Sequence, residues 1–339
     1  MKISYFKFSG IAAFIMLFSL GFISCKDGNQ KDSNQETVEK NDTTNTKDPF
    51  FKISLAQWSL SGPIKDGSMD PVDFAQRASE MGFEGIEYVS QLYTSRYADA
   101  EDPQAALQSL LDTLKAKSEE YNVENVLIMV DHEGELASAD EAERNEAVEK
   151  HKKWVDAAEF LGAHAIRVNL FGSEDEEEWK AAATDGLKKL SEYAADKNID
   201  VLVENHGYYS SNAALLAEVM EDVNMENAGT LPDFGNFCLK REGGERYEAK
   251  CVEEYPKYQG VEEMMPYAKA VSAKAYEFNE EGEETTIDFE RMLQIVKDAG
   301  YTGYVGIEYE GSGLSPEEGI LATRELLIEK GTNLNSDNQ

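Results

Sequence analysis

The chain has 339 residues and a formal charge of −34, with 66 acidic side chains against 32 basic ones. So acidic a surface repels phosphate backbones and anionic lipid headgroups, which argues against nucleic acid as a partner. Its length suits one large α/β barrel or two smaller domains.

Residues 1–24 read as a signal peptide. Lys2 and Lys7 make a basic start, and IAAFIMLFSLGFIS follows as an apolar run ending in small residues, short for a membrane span. The run stops at Cys25 in FISC, which resembles a bacterial lipobox with Phe22 where Leu is usual. The resemblance implies that Cys25 is the lipidated first residue of the mature chain. A plain secretory signal and an uncleaved anchor are the alternatives. Residues 25–49 form a polar stretch without an aromatic side chain, a composition that buries no core and reads as a disordered tether. The expectation is an exported protein, periplasmic or surface-facing, held to the cell envelope by its lipid anchor only. The first 24 residues carry two lysines and no acid, so the remainder carries −36. The folded part is expected over 50–333, with 334–339 as a disordered tail.

From Phe50 a short apolar run, a polar turn and an amphipathic segment recur. The runs are FKISLAQ (51–57), GIEYVS (85–90), NVLIMVD (125–131), AIRVNL (165–170), DVLVENH (200–206), GTLPDF (229–234), AVSAKAYEF (270–278) and YVGIEYE (304–310). Helical patterns between them include 70–82, 102–121, 146–162, 179–197 and 289–300. Gly82, Gly162 and Gly300 stand where helices end before the next strand, a place for left-handed backbone. Alternating strands and helices imply βαβ units and a parallel sheet, and eight units in about 280 residues match a (β/α)8 TIM barrel. A doubly wound sheet would usually show a Gly-rich phosphate loop after the first strand, and SLAQWSLSG is not one. The segment Cys238–Gly260 shows charges, glycines and no apolar period, and reads as a loop insertion covering the barrel mouth. An exported setting permits Cys238 and Cys251 to bond; two free thiols are the alternative.

Strand side chains alternate between faces. The polar face of the eight runs then carries Glu87, Asp131, Arg167, Asn169, Glu204, His206, Asp233, Lys274 and Glu308, nearly all late in their strands. Active sites of such barrels lie at those ends. Any one of these residues alone is more often a structural ion pair than a catalyst. Neighbouring carboxylates repel unless a cation or proton intervenes, and Arg167 and Lys274 neutralise only two of them. The excess argues for one divalent metal. Oxygen ligands favour Mg or Mn, and an added imidazole would admit Co or Zn.

The motifs VENHG, LPDFGNF, VSAKAYEF and GYVGIEYEG, with AQWSL and GFEGIEY before them, resemble the xylose isomerase-like barrels known as sugar phosphate isomerases/epimerases. The resemblance spans about residues 51–330. It implies a metal held by a Glu from the fifth strand, an Asp from the sixth, a His from the seventh and a Glu from the eighth. Glu204, Asp233 and Glu308 match three of these. The seventh-strand position falls on Ser272, two residues before Lys274, and Asn236 stands where relatives often have His. The resemblance further implies that Glu204 and Glu308 exchange a proton with a substrate carbon, through an enediolate. Glu87, Asp131, Arg167, Asn169, His206, Asn236, Lys274 and Trp58 are then the candidates for substrate binding.

Three functions follow. The first is a metal-dependent isomerase or epimerase of a free sugar or keto-sugar; export argues against a phosphorylated substrate. The second is a metal-dependent lyase or hydrolase of keto-glycosides at the same site. The third is a non-catalytic sugar-binding lipoprotein. The related endonucleases use three metals and many histidines, and this chain has four histidines in all.

Overall fold

The structure, a computed structural model, describes residues 48–336 apart from residue 248. The signal peptide, the lipidation at Cys25 and most of the tether lie outside the described residues. Among the described residues no helix is long and apolar enough to cross a membrane.

The barrel strands are β1 (Lys52–Ala56), β2 (Gly85–Val89), β3 (Glu124–Met129), β4 (Ala165–Val168), β5 (Asp200–Glu204), β6 (Ala228–Leu231), β9 (Val271–Ala275) and β10 (Tyr304–Tyr309). An antiparallel hairpin, β7 (Cys238–Arg241) and β8 (Cys251–Glu254), interrupts the series. The barrel strands pair in parallel in the order β6-β5-β4-β3-β2-β1-β10-β9. Two parallel bridges, Thr230 to Ala268 and Asp233 to Ser272, then bring the ends together. The Ser272 N–H donates to the Pro232 carbonyl at 2.9 Å, and the Phe234 N–H to the Ser272 carbonyl at 3.0 Å. The result is a single, nearly closed (β/α)8 barrel.

Alternation sorts the core into two layers. Leu202 packs with Ala56, Leu127, Met129, Ala165 and Leu231 within the barrel, while Val201 and Val203 join Ile166, Val168, Ala273 and Ile307 in the layer beneath the helices. Burying both faces is what a parallel sheet requires, and it explains why these runs are nearly continuous apolar stretches.

After the short α1 (Ser61–Lys65), the helices are α2 (Phe74–Glu80), α3 (Pro103–Glu120), α4 (Glu141–Leu161), α5 (Glu176–Ala195), α6 (Ala213–Val223), α7 (Lys257–Met264), α8 (Phe289–Asp298) and α9 (Pro316–Ser336). Asp102, Asp140, Asp175, Asn212 and Asp288 each accept a backbone N–H of the following first turn, at 2.8–3.3 Å. Each cap contributes about 1 kcal/mol. Capping explains why α4 and α5 start earlier than their apolar periodicity predicts: the starts follow Asp140 and Asp175. Gly82, Gly162 and Gly300 have φ of +79°, +77° and +74°, as helix-ending glycines should.

Two boundaries differ from expectation. Residues 334–336 belong to α9 rather than to a tail, because Leu334 is buried and the Asn335 amide donates to the Asp48 carbonyl at 3.0 Å. The segment after Cys238 is not an irregular loop: it forms the β7–β8 hairpin, and α7 begins at Lys257. It lacks an apolar period because most of its side chains line cavities or face solvent rather than the core.

Candidate active site

Glu204 closes β5 and is buried. Its Oε1 accepts the Asn236 amide at 2.9 Å. Its Oε2 lies 2.8 Å from Arg167 Nε but off the N–H direction, so neither atom has a hydrogen-bond partner. Asp233, two residues past β6, is fixed from several sides. The Gly235 and Asn236 N–H groups donate to its Oδ1, each at 2.8 Å, and the Ser272 hydroxyl donates to its Oδ2 at 2.6 Å. Asn205 points to the other face of β5 and receives the Asp233 N–H at 2.7 Å, locking the ends of β5 and β6 together. Glu308 comes from β10, with Oε1 bonded to Lys274 Nζ at 2.8 Å and Oε2 buried without a hydrogen-bond partner.

Glu204, Asp233 and Glu308 each bring a carboxylate oxygen within 4.8 Å of the others. Arg167 already meets Glu204 Oε2, but Glu308 Oε2 is buried with no hydrogen-bond donor among the described residues, a cost that a cation would relieve. The donor set is all oxygen and suits a hard divalent ion, so the residues present fit a metal.

Charge balance supports the same reading. Burial pushes Glu308 well above the usual carboxylate range; Lys274 opposes the rise, and Glu310, Glu204 and Asp233 add to it. Asp233 is raised for the same first reason, burial. Burial acts on Asp131 too but is outweighed by the Arg167 charge and by His206, leaving its pKa low. Arg167 Nη1 donates to Asp131 at 3.0 Å, and the Asn169 amide reaches the same oxygen at 2.7 Å.

Asp131, Arg167, Asn236 and Glu308 line a cavity of about 480 Å³ together with Trp58 and His206, while Glu204 and Asp233 lie buried outside its lining. Asn169 faces a side cavity instead. Lys274 lies buried outside the cavity lining. Glu87, read from the sequence as a substrate contact, is likewise buried and takes the Ser54 hydroxyl at 2.6 Å. A Cβ at Gly306 would come within 2.4 Å of its Oε1, so β10 carries glycine where Glu87 needs the space.

Burial pushes the Glu87 carboxyl up to about 7; the Ser54 hydrogen bond and Arg167 oppose this and Glu204 adds to it. A carboxyl with a raised folded pKa binds its proton more tightly in the folded state. Its contribution to stability is therefore present at low pH and is lost as pH rises from about 4.5 through about 7. Urea unfolding of Glu87→Gln should show that pH-dependent loss reduced, by an amount on the order of 3 kcal/mol. Equal slopes in the two proteins would contradict it.

Several lining residues fall outside the sequence-derived set: Gln91, His132, Tyr276, Glu310, Arg246 and Tyr247. Alternation along β9 and β10 points to Tyr276 and Glu310. Glu310 sits 3.0 Å from Lys274 Nζ; burial pushes its pKa up, but that ammonium, a hydrogen bond with Glu308 and the nearby His206 together draw it down to about 2. His132 has φ +63°, a strained position for a side chain, and its Nε2 meets Gln91 Oε1 at 2.8 Å. Arg246 and Tyr247 come from the hairpin, where no periodicity marks them. Tyr247 packs edge-on against Phe171 and His206, closing one side of the mouth.

Cys238 and Cys251 are bonded across this hairpin. Its two strands pair only with each other. Reduction is therefore expected to speed amide exchange in β7 and β8 while the barrel melts within a few degrees of the oxidised protein. Exchange accelerating equally in β5 and β6 would contradict that.

Eight βα units with three converging carboxylates at strand ends define a (β/α)8 barrel with an acidic, metal-competent site. The chain belongs to the xylose isomerase-like TIM barrel family, whose profile matches residues 75–330. No curated protein matches the chain. Among solved structures it is similar to a D-tagatose 3-epimerase-like protein, at 19% identity and TM-score 0.61, covering 85% of this chain and 100% of that one. It is also similar to a 3-keto-D-glucoside 4-epimerase from E. coli in its apo form (15%, TM-score 0.60, covering 82% and 98%). A third is a xylose isomerase-like TIM barrel protein from Mycobacterium smegmatis in complex with magnesium (17%, TM-score 0.58, covering 84% and 97%). At these identities the likeness establishes the fold.

Proposed function

We propose that this protein is a metal-dependent isomerase or epimerase of a free sugar or keto-sugar, in an exported, lipid-anchored chain. The observation that carries the reading is the convergence of Glu204, Asp233 and Glu308 from separate strand ends, with carboxylate oxygens within 4.8 Å of one another. Glu204, Asp233 and Glu308 would hold the metal, which when bound would polarise a substrate carbonyl and so acidify the adjacent C–H. One of the two glutamates removes that proton and the other returns it. Burial serves this role at Glu308, where the raised pKa makes the carboxylate a stronger base once ionised. Asn236 orients Glu204 through its Oε1, with Arg167 beside Oε2. Lys274 does the same for Glu308. Trp58, Asp131, His206 and Asn236, which line the cavity, would take sugar hydroxyls or a sugar face.

A second reading, cleavage beside the carbonyl of a keto-glycoside, draws support from a neighbouring cavity of about 570 Å³. Phe171, Trp179, Tyr208 and Tyr209 line it, and Arg246 lines both spaces. It has room for an aglycone ring.

Glu308→Gln distinguishes the two. In deuterated water, a Glu308→Gln epimerase that retains some metal should lose net inversion yet still exchange a proton from the face served by Glu204. Release of a free aglycone by the native protein would decide for cleavage.

A further inference from the structure

The seventh barrel strand brings an ammonium group, not a neutral ligand, into the carboxylate cluster. Lys274 is only 1% exposed, and its Nζ lies 2.8 Å from Glu308, 3.0 Å from Glu310 and 3.9 Å from Asp233. Strand register sets Lys274 directly beside Glu308. Ser272, one inward-facing position earlier, spends its hydroxyl on Asp233 and not on the shared centre. A lysine stem usually carries its charge out to water; this one does not. The chain makes room for it, because a Cβ at Gly235 would meet Lys274 Cγ at 2.8 Å. Two of the three carboxylates that converge on one point thus already share a fixed internal cation.

We propose that Lys274 competes with the divalent metal for Glu308 and Asp233, so that the site holds its metal weakly and exchangeably. This inference rests on the metal-dependent reading above. A metal at Glu308 Oε2 would share that carboxylate with the ammonium already on Oε1. Two cations on one buried carboxylate repel strongly at such separations. Removing the ammonium, by contrast, leaves Glu308 and Glu310 with uncompensated negative charge, which attracts a dication. Both effects have the same sign. Lys274 is therefore a positioning residue that sets metal affinity, and it keeps the carboxylate cluster tolerable when no metal is bound.

The test measures Mn²⁺ binding by calorimetry in the native protein, Lys274→Met and Lys274→Gln, with melting of each recorded in chelator and in excess Mn²⁺. Both variants should bind Mn²⁺ at least about tenfold more tightly than the native protein. They should also melt lower in chelator and regain more on adding Mn²⁺ than the native protein does. If a variant unfolds without metal, refolding against Mn²⁺ concentration gives the same comparison, and failure to fold in saturating Mn²⁺ overturns the proposal. Equal or weaker binding by variants of a metal-binding native protein overturns it and leaves the metal-dependent reading standing. Binding by the variants alone supports it and removes metal from the native reaction. No binding by any of the three overturns both.

Discussion

Arg167→Met should destabilise the barrel by about 3–5 kcal/mol, the usual cost of breaking a buried ion pair from one side. Arg167 is 4% exposed and sits between Asp131, at 3.0 Å, and Glu204, at 2.8 Å. Methionine fills much of the volume but leaves the buried Glu204 and the half-buried Asp131 without their shared cation. The guanidinium pKa is raised by Asp131, Glu204 and Glu308 against the opposing effect of burial, which marks how strongly the cluster depends on it. Urea unfolding in chelator measures the cost, and excess divalent metal should recover part of it by supplying positive charge beside Glu204. A loss under about 1 kcal/mol would mean that Arg167 is not the counter-charge of this cluster.

Glu204→Gln and Asp233→Asn should each abolish stoichiometric metal binding and lower turnover by about 10²- to 10⁴-fold, the range for losing a positioned acid or base. The two variants fail for different local reasons. Glutamine keeps an oxygen for the Asn236 amide but loses the negative charge, including that beside Arg167. Asparagine keeps an acceptor for the Gly235 and Asn236 N–H groups, or for the Ser272 hydroxyl, but presents a donor on its other side. Neither change opens a cavity, so both proteins should stay folded. Elemental analysis after dialysis checks the metal, and full occupancy in either variant would sink the ligand assignment.

How far the sequence carries this site can be argued residue by residue. Glu204, Asp233 and Glu308 were legible because strand alternation is a strict period of two and the polar residues fall at strand ends. Alternation also sends Val201 and Val203 outward and Leu202 inward, as observed. It says nothing about depth, and so Glu87 read as a substrate contact when it is buried against Ser54 and Gly306. Arg246 and Tyr247 were invisible because a rim hairpin buries no continuous face and leaves no period. His132 was invisible for another reason: its left-handed backbone depends on tertiary surroundings, among them its contact with Gln91. The starts of α4 and α5 were written in Asp140 and Asp175, in capping chemistry rather than in hydrophobic pattern.

The most direct test of the central claim is solvent deuterium uptake, followed by NMR, with aldo-sugars, keto-sugars and 3-keto-sugars offered to metal-replete protein. The account predicts deuterium at a single carbon beside the carbonyl, lost on chelation and in Glu204→Gln. Tight sugar binding with no exchange at any carbon would contradict it and leave a binding protein in its place.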